Sequence, residues 1–82
     1  MYDEIRRIVV AQLKGHASEV GLDDDLWDLG VTSMTSVAIM IGVEEVFGVQ
    51  FPNEVLSRDT FSSIRRIAQA LSSFAPDAVV GR

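Results

Sequence analysis

The longest helical pattern in this sequence runs from residue 33 to residue 47, and a glycine follows its end. The residues that share one face of such a helix, and that we therefore expect in the core, are Ser36, Ile39, Met40, Val43 and Phe47. Gly48 is placed to end the helix. Gly42 in its middle costs about 1 kcal/mol relative to alanine, so we expect a neighbouring helix to pack closely there.

A first helix is predicted over residues 3–14, where Ile5, Ile8, Val9 and Leu13 recur at helical spacing. Asp3 is suited to cap its start and Gly15 to end it. A connection from about residue 16 to residue 32 follows. That length is unusual in a small domain unless the loop is functional or well packed. The apolar residues expected to pack this loop onto the helices are Leu22, Leu26, Trp27 and Leu29.

The C-terminal half predicts a short helical turn and a last long helix. Asn53 is placed to cap the turn, which runs through Leu56, and Thr60 to cap a helix over residues 61–73. Its apolar face consists of Ile64, Ile67, Ala68 and Leu71. Ala75-Pro76-Asp77 ends this helix, so we predict a domain over residues 1–75 and a frayed tail over 76–82. The predicted fold is all-α, with three long helices, one short helix and a long first loop.

Composition limits the chemistry that this chain can perform. Its 82 residues make one small domain, and an apolar content of 48% favours a packed globule over disorder. No apolar run has the length of a membrane span, and no signal-peptide layout is present at the N-terminus. The absence of cysteine excludes disulfides, a thiol nucleophile and a cysteine zinc site. We expect a cytoplasmic protein.

The charge distribution points to basic partners rather than to nucleic acid. A net charge of −5 disfavours binding to a phosphate backbone. No lysine or arginine lies between Lys14 and Arg58, whereas that window contains Glu19, Asp23, Asp24, Asp25, Asp28, Glu44, Glu45 and Glu54. An acidic zone of this kind can steer basic partners towards the second helix, although solubility alone also explains it.

One serine lies at the junction between the long loop and the second helix. The run Asp28-Leu29-Gly30-Val31-Thr32-Ser33-Met34 puts Ser33 on a glycine-bearing turn where the helix begins. Unpaired backbone N–H groups and a partial positive charge make a helix N-terminus favourable for a phosphate. The alternative is an ordinary helix cap, since serine is preferred at that position in any case.

The run Leu29-Gly30-x-x-Ser33 resembles the attachment site of acyl and peptidyl carrier proteins. In that family 4′-phosphopantetheine is esterified to the serine of an Asp-x-Leu-Gly-x-Asp-Ser-Leu-like signature. Further family-like segments follow in the right order: Glu44-Glu45-x-Phe47, Val49-x-Phe51-Pro52 and Thr60-Phe61-Ser62-Ser63-Ile64. The resemblance covers the chain from about Tyr2 to Leu71.

The resemblance implies a four-helix carrier bundle that acts as a carrier and not as an enzyme. Ser33 would receive phosphopantetheine from coenzyme A, and the thiol of that arm would hold an amino acid, acyl group or polyketide as a thioester. The implied partners are a phosphopantetheinyl transferase, an adenylating ligase or acyltransferase, and a downstream synthase. The carrier alone is expected to be a monomer, without nucleic-acid or membrane partners.

Departures from the family pattern narrow the subclass. Thr32 stands where aspartate is usual and Met34 where leucine is usual, while Thr35 and Ala38 leave the early helix neutral. This resembles discrete (type II) carriers for amino acids or for secondary-metabolite intermediates such as polyketides, nonribosomal peptides and antibiotics. The starting methionine and the lack of flanking domains favour a free-standing protein.

A docking face is predicted on the outer side of the second helix. Its apolar residues with an acidic rim are typical of a surface for transient partners. The residues expected to contact partner enzymes are Met34, Val37, Ala38, Ile41, Glu44 and Glu45.

Three alternatives remain open on the sequence. The chain could be a silent helical interaction module in which Ser33 is only a cap, a carrier-like protein that lost modification through Thr32, or a small DNA-binding domain. His16 is interpreted as a solvated loop or helix-end residue and Trp27 as loop packing. Residues 23–25 are interpreted as a solvated acidic loop, because a calcium loop needs alternating ligands and a closing glutamate.

Overall fold

Helices are the regular elements of the computed structural model, which describes residues 1–13 and 20–80. They are α1 (Tyr2–Gln12), α2 (Ser33–Phe47), α3 (Ile64–Phe74) and α4 (Pro76–Val80), with 3-10 turns at Asn53–Val55 and Asp59–Phe61. The all-α prediction is confirmed, and those two ranges contain no strand. Within them, every helix is too short or too polar to span a bilayer.

The core forms where α1, α2 and α3 meet. Its fully buried side chains include Ile5 and Val9 from α1, Ile39 and Val43 from α2, and Ile64, Ile67 and Leu71 from α3. Ser36 and Met40, predicted for the core, are only half-buried. The face of α2 was hard to predict because Val37, Ile41 and Val46 make this helix apolar on its exposed sides as well.

Gly42 lets α1 and α2 approach closely. A Cβ atom added at Gly42 would lie 2.9 Å from Cγ2 of Ile8 on α1. That separation is shorter than carbon atoms adopt in packed interiors, so a side chain at this position would displace its neighbour. The predicted close contact at Gly42 is confirmed.

The described part of the first loop is packed and hydrogen-bonded to the start of α3. Leu26 is fully buried, and its N–H donates to the carbonyl of Ser62 at 2.8 Å. The N–H of Arg65 donates to the carbonyl of Leu22 at 2.9 Å. Leu22, Trp27 and Leu29 are partly buried against the core, as predicted. Residues 20–32 of the loop are therefore packed against the helices that precede and follow them in the fold.

Helix ends follow the predictions less closely than helix interiors. The N-cap of α1 is Met1 and not Asp3, which lies in the first turn and pairs with Arg6 at 3.3 Å. Gly48 ends α2 in the left-handed conformation, with φ of 67°, as predicted. Gly15 and His16 lie outside the described residues, so their predicted roles stay predictions.

The segment between α2 and α3 contains two 3-10 turns where one short helix was predicted. The first turn has Pro52 as its N-cap, without a side-chain cap from Asn53. Thr60 does not cap α3, because its hydroxyl donates to the carbonyl of Val55 at 2.6 Å and so links the two turns. Ser63 caps α3 instead, and its Oγ accepts from the N–H of Arg66.

The chain continues past α3 as a short helix, where the sequence predicted a frayed tail. Proline is well tolerated at the first helical position, which Pro76 occupies in α4. The N–H of Ala78 donates to the carbonyl of Ala75 at 3.0 Å, and Ala78 is partly buried against the core. Pro76 therefore begins a new helical turn here as well as following the end of α3.

Candidate functional site

Ser33 is the first residue of α2 and its side chain is exposed. The preceding turn is fixed by Val31, which is buried and whose N–H donates to the carbonyl of Leu26 at 3.0 Å. Gly30 has φ of 115°, a conformation that favours glycine and brings the chain round into the helix. The motif thus places a hydroxyl in solvent at a helix start that is anchored to the core.

Thr32, and not Ser33, caps the helix. The N–H of Thr35 donates to Thr32 Oγ1 at 3.2 Å, and the N–H of Thr32 donates to Thr35 Oγ1 at 2.7 Å. This reciprocal pair is a capping box formed by two threonines. The hypothesis that Ser33 is an ordinary cap is therefore wrong. Its Oγ makes no hydrogen bond within residues 1–13 and 20–80.

A groove of about 410 Å³ opens beside Ser33. One wall belongs to α2, and the other is formed by the first loop and the segment between the two 3-10 turns. The lining residues are Trp27, Ser33, Ser36, Val37, Met40, Leu56, Ser57, Arg58 and Phe61. No histidine or carboxylate is among them, so the groove provides binding surface rather than a base that could activate the serine.

Trp27 and Arg58 form one corner of the groove. The indole N–H of Trp27 donates to the carbonyl of Arg58 at 3.1 Å, and the Arg58 guanidinium carbon lies 4.2 Å from the centroid of the Trp27 ring. That distance is within the range of a cation–π contact. Trp27 packs against the core, as predicted, and it also lines the groove. The sequence prediction missed Arg58, which lies 31 positions away from Trp27.

The predicted docking face is exposed only in part. Met34 has 84% of its surface exposed, Val37 50% and Ile41 47%, and Glu45 is also exposed. Ala38 and Glu44 are half-buried. Glu44 has a structural role that the sequence did not indicate, because its Oε2 accepts from the N–H of Phe51 at 2.9 Å. The face therefore consists of three apolar side chains beside Glu45.

The acidic residues 23–25 organise the loop. Asp23 pairs with Arg65 on α3 at 2.7 Å, and the hydrogen bond from this guanidinium lowers the pKa of the Asp23 carboxyl. Asp24 accepts from the N–H of Gly21, and Asp25 accepts from the N–H of Trp27. These exposed carboxylates therefore also stabilise the loop, through hydrogen bonds to its backbone and an ion pair with α3. Across the described residues, no cluster of acidic or histidine side chains could hold a metal ion.

A family comparison identifies the class of protein to which this site belongs. The profile described as phosphopantetheine attachment site matches residues 3–71, which include the whole of α2 and the groove. The chain is a member of this carrier-protein family. This match, together with the relatives and complexes described next, confirms the predicted family, the carrier role without catalysis of its own and the phosphopantetheine cofactor.

Two relatives of this chain are themselves named as carrier proteins. An aminoacyl carrier protein of Agrobacterium fabrum is 37% identical over 65 residues, which are 77% of this chain and 78% of the relative. An acyl carrier protein of Helicobacter acinonychis is 31% identical over 55 residues, which are 66% of this chain and 70% of the relative.

Solved structures share the fold of this carrier. One is a crystal structure of engineered Bradyrhizobium japonicum glycine:[carrier protein] ligase complexed with carrier protein from Agrobacterium tumefaciens and AMP. A chain in it matches with a TM-score of 0.81 and 31% identity, over 88% of this chain and 99% of that chain. A second complex of the Bradyrhizobium japonicum ligase, with its cognate carrier protein and an analogue of glycyl adenylate, matches with a TM-score of 0.68, 26% identity, and coverage of 84% and 96%.

Proposed function

We propose that Ser33 is the attachment residue of this carrier and that its phosphopantetheine arm carries an amino acid as a thioester. The observation that supports Ser33 most directly is its position on α2. The hydroxyl is exposed on the first residue of the helix, and the cap that holds the helix start belongs to Thr32. A phosphodiester on Ser33 would meet the positive end of the helix without displacing a structural hydrogen bond.

The groove offers such an arm a binding surface of suitable chemistry. Ser33 is one of its lining residues, its volume is about 410 Å³, and its walls combine apolar side chains with hydroxyl groups and one guanidinium. The arm supplies the thiol that holds the cargo, and the protein supplies attachment and presentation. The described residues around the groove contribute binding surface for that task.

An amino acid is the cargo best supported by the comparisons. The relative with 37% identity is an aminoacyl carrier protein, and the carrier complexes above contain a glycine:[carrier protein] ligase. We therefore propose an adenylating ligase as the loading enzyme. A phosphopantetheinyl transferase installs the arm, a downstream synthase accepts the cargo, and secondary metabolism in the cytoplasm is the proposed setting. The neutral start of α2, with Thr35 and Ala38, supports this subclass.

An acyl or polyketide cargo is the second candidate. The groove wall contains Val37, Met40, Leu56 and Phe61, which could contact a hydrocarbon chain. The acyl carrier protein relative at 31% identity supports the same candidate.

Intact mass measurement tests the attachment residue. We expect incubation with coenzyme A and a promiscuous phosphopantetheinyl transferase to give a single pantetheinyl addition. Ser33→Ala should abolish it, and Ser73→Ala, an exposed serine on α3, should retain it. Failure of the wild-type protein to react would instead favour a carrier-like protein that lost modification or a silent interaction module.

A loading competition tests the cargo. The pantetheinylated carrier is incubated with ATP, glycine and a glycine:[carrier protein] ligase, or with an acyl-transferring enzyme and its acyl donor, and intact masses are compared. Rapid glycylation that is lost in Ser33→Ala supports the aminoacyl proposal. Acylation without aminoacylation would favour the second candidate.

A further inference from the structure

The groove beside Ser33 has a single charged side chain in its lining, that of Arg58. The other lining residues are apolar, aromatic or hydroxyl-bearing. The carboxylates near this corner, Asp25, Asp28 and Asp59, line an adjoining cleft that shares Trp27 and Arg58 with the groove. The one charge in the lining of the groove is therefore positive, in contrast to the acidic character of the chain.

Arg58 is held in position while its donors remain available. Stacking on Trp27 and the hydrogen bond from the indole to the Arg58 carbonyl restrict both the side chain and the backbone. Restriction of this kind reduces the ordering cost when a ligand binds. Arg65 and Arg66 have carboxylate partners, whereas no described carboxylate lies within ion-pair distance of Arg58.

We infer that Arg58, stacked on Trp27, binds the phosphodiester of the phosphopantetheine arm and so directs the arm into the groove. This rests on the proposed attachment at Ser33, which lines the same groove as Arg58. A phosphodiester keeps its negative charge at every physiological pH, and a guanidinium presents paired N–H donors to phosphate oxygens. Arg58 is a positioning residue here, because it touches the arm and not the reacting thioester.

The indole N–H resonance of Trp27 tests the inference in the intact carrier. The protein contains one tryptophan, so this resonance in an ¹H–¹⁵N spectrum reports on one corner of the groove. Spectra are compared before and after pantetheinylation for wild type, Arg58→Gln, Arg58→Lys and Arg7→Gln. Arg7 is an exposed arginine on α1 and gives the same charge change away from the groove. Amide spectra of the unmodified variants show whether each remains folded.

We expect pantetheinylation to shift the Trp27 resonance in wild type and in Arg7→Gln. Arg58→Gln should lose most of that shift, Arg58→Lys should keep part of it, and added salt should reduce it in wild type. An unchanged Trp27 resonance in wild type, or an equal shift in Arg58→Gln, would overturn the inference while leaving the attachment intact. Failure of the attachment itself is read separately, in the intact mass, and would remove both proposals.

Discussion

Two adjacent hydroxyl residues have different roles at the start of α2. Thr32 fills the cap through its reciprocal bonds with Thr35, while the Ser33 hydroxyl faces solvent. In the family signature an aspartate stands where this chain has Thr32. Threonine and aspartate both cap helices well, so the substitution removes a charge beside the serine while keeping the helix start.

A substitution at Thr32 should therefore lower stability, whereas a substitution at Ser33 should abolish modification and leave stability nearly unchanged. Thr32→Ala should lower the free energy of unfolding by about 1 kcal/mol, because one helix N–H loses its acceptor. Ser33→Ala should change it by less than about 0.5 kcal/mol. Urea denaturation followed by circular dichroism measures both values. A larger loss for Ser33→Ala than for Thr32→Ala would contradict the assignment of the cap.

At the scale of elements, the contact between α1 and α2 depends on the missing side chain of Gly42. Alanine there gains helix propensity of about 1 kcal/mol, yet its Cβ would lie 2.9 Å from Ile8 Cγ2. Ile8 is β-branched, so this methyl group cannot easily rotate away. The free-energy cost of this crowding should exceed the gain in helix propensity.

We expect Gly42→Ala to destabilise the protein by about 1 kcal/mol. Ile8→Ala removes the crowded methyl and leaves the Ile8 Cβ position 3.8 Å away, an ordinary contact distance. In that background Gly42→Ala should be stabilising by up to about 1 kcal/mol. Denaturant unfolding of wild type, the two single variants and the double variant gives the coupling free energy between positions 8 and 42. Equal effects of Gly42→Ala in both backgrounds would show that the helices do not crowd at this point.

The first loop and α3 are joined by the ion pair of Asp23 with Arg65. The guanidinium hydrogen bond lowers the pKa of Asp23 from its usual value of 3.8. A lowered native pKa means that the pair stabilises the fold above pH 3.8, and that this contribution disappears as pH falls through the lower native value.

Asp23→Asn should therefore reduce the dependence of the unfolding free energy on pH in the acidic range. In low salt, wild type should lose more stability than Asp23→Asn as pH falls from above 3.8 to below it. Arg65→Gln should flatten the profile in the same way, because it removes the partner. Denaturant midpoints across this range provide the measurement, and parallel profiles for all three proteins would contradict the linkage.

Periodicity predicted the helices of this fold well and their ends poorly. The apolar stripe of α3 is buried as expected, and so is that of the first helix except for Ile8, which is half-buried. Burial of one face repeats over several turns, which makes such stripes predictable. Cap residues were mistaken at α1 and α3, since several residues near each start are suited to the role. Thr60 is suited to cap a longer helix, but in the structure it lies in a separate 3-10 turn, and Ser63 caps α3.

At the scale of the whole molecule, the candidate site is only partly local in sequence. Ser33 and the apolar outer face of α2 could be predicted because each lies within one continuous motif. The corner of Trp27 and Arg58 could not, because it joins two segments that only the folded chain brings together. The structural bond of Glu44 to the Phe51 N–H likewise required coordinates. It also leaves Glu45 as the better probe of partner steering.

Glu45→Lys should slow loading by the transferase and by the ligase several-fold at low salt. The difference from wild type should shrink as salt screens the exposed charge. Asp77→Lys on α4 makes the same charge change away from the docking face and should load at the wild-type rate. Initial rates from timed intact-mass samples measure the effect. A slow Asp77→Lys variant would mean that net charge, and not the docking face, controls encounter.

The separation of the cap from the proposed attachment hydroxyl has a consequence for turnover of the protein. Since the hydrogen bonds at the start of α2 belong to Thr32 and Thr35, a group can be installed on the neighbouring oxygen, and removed again, without melting the first turn. We therefore expect unmodified and modified copies to share one backbone conformation at this helix start. Quality control by unfolding-sensitive proteases would treat the two pools alike, and copies awaiting modification would persist as a reserve.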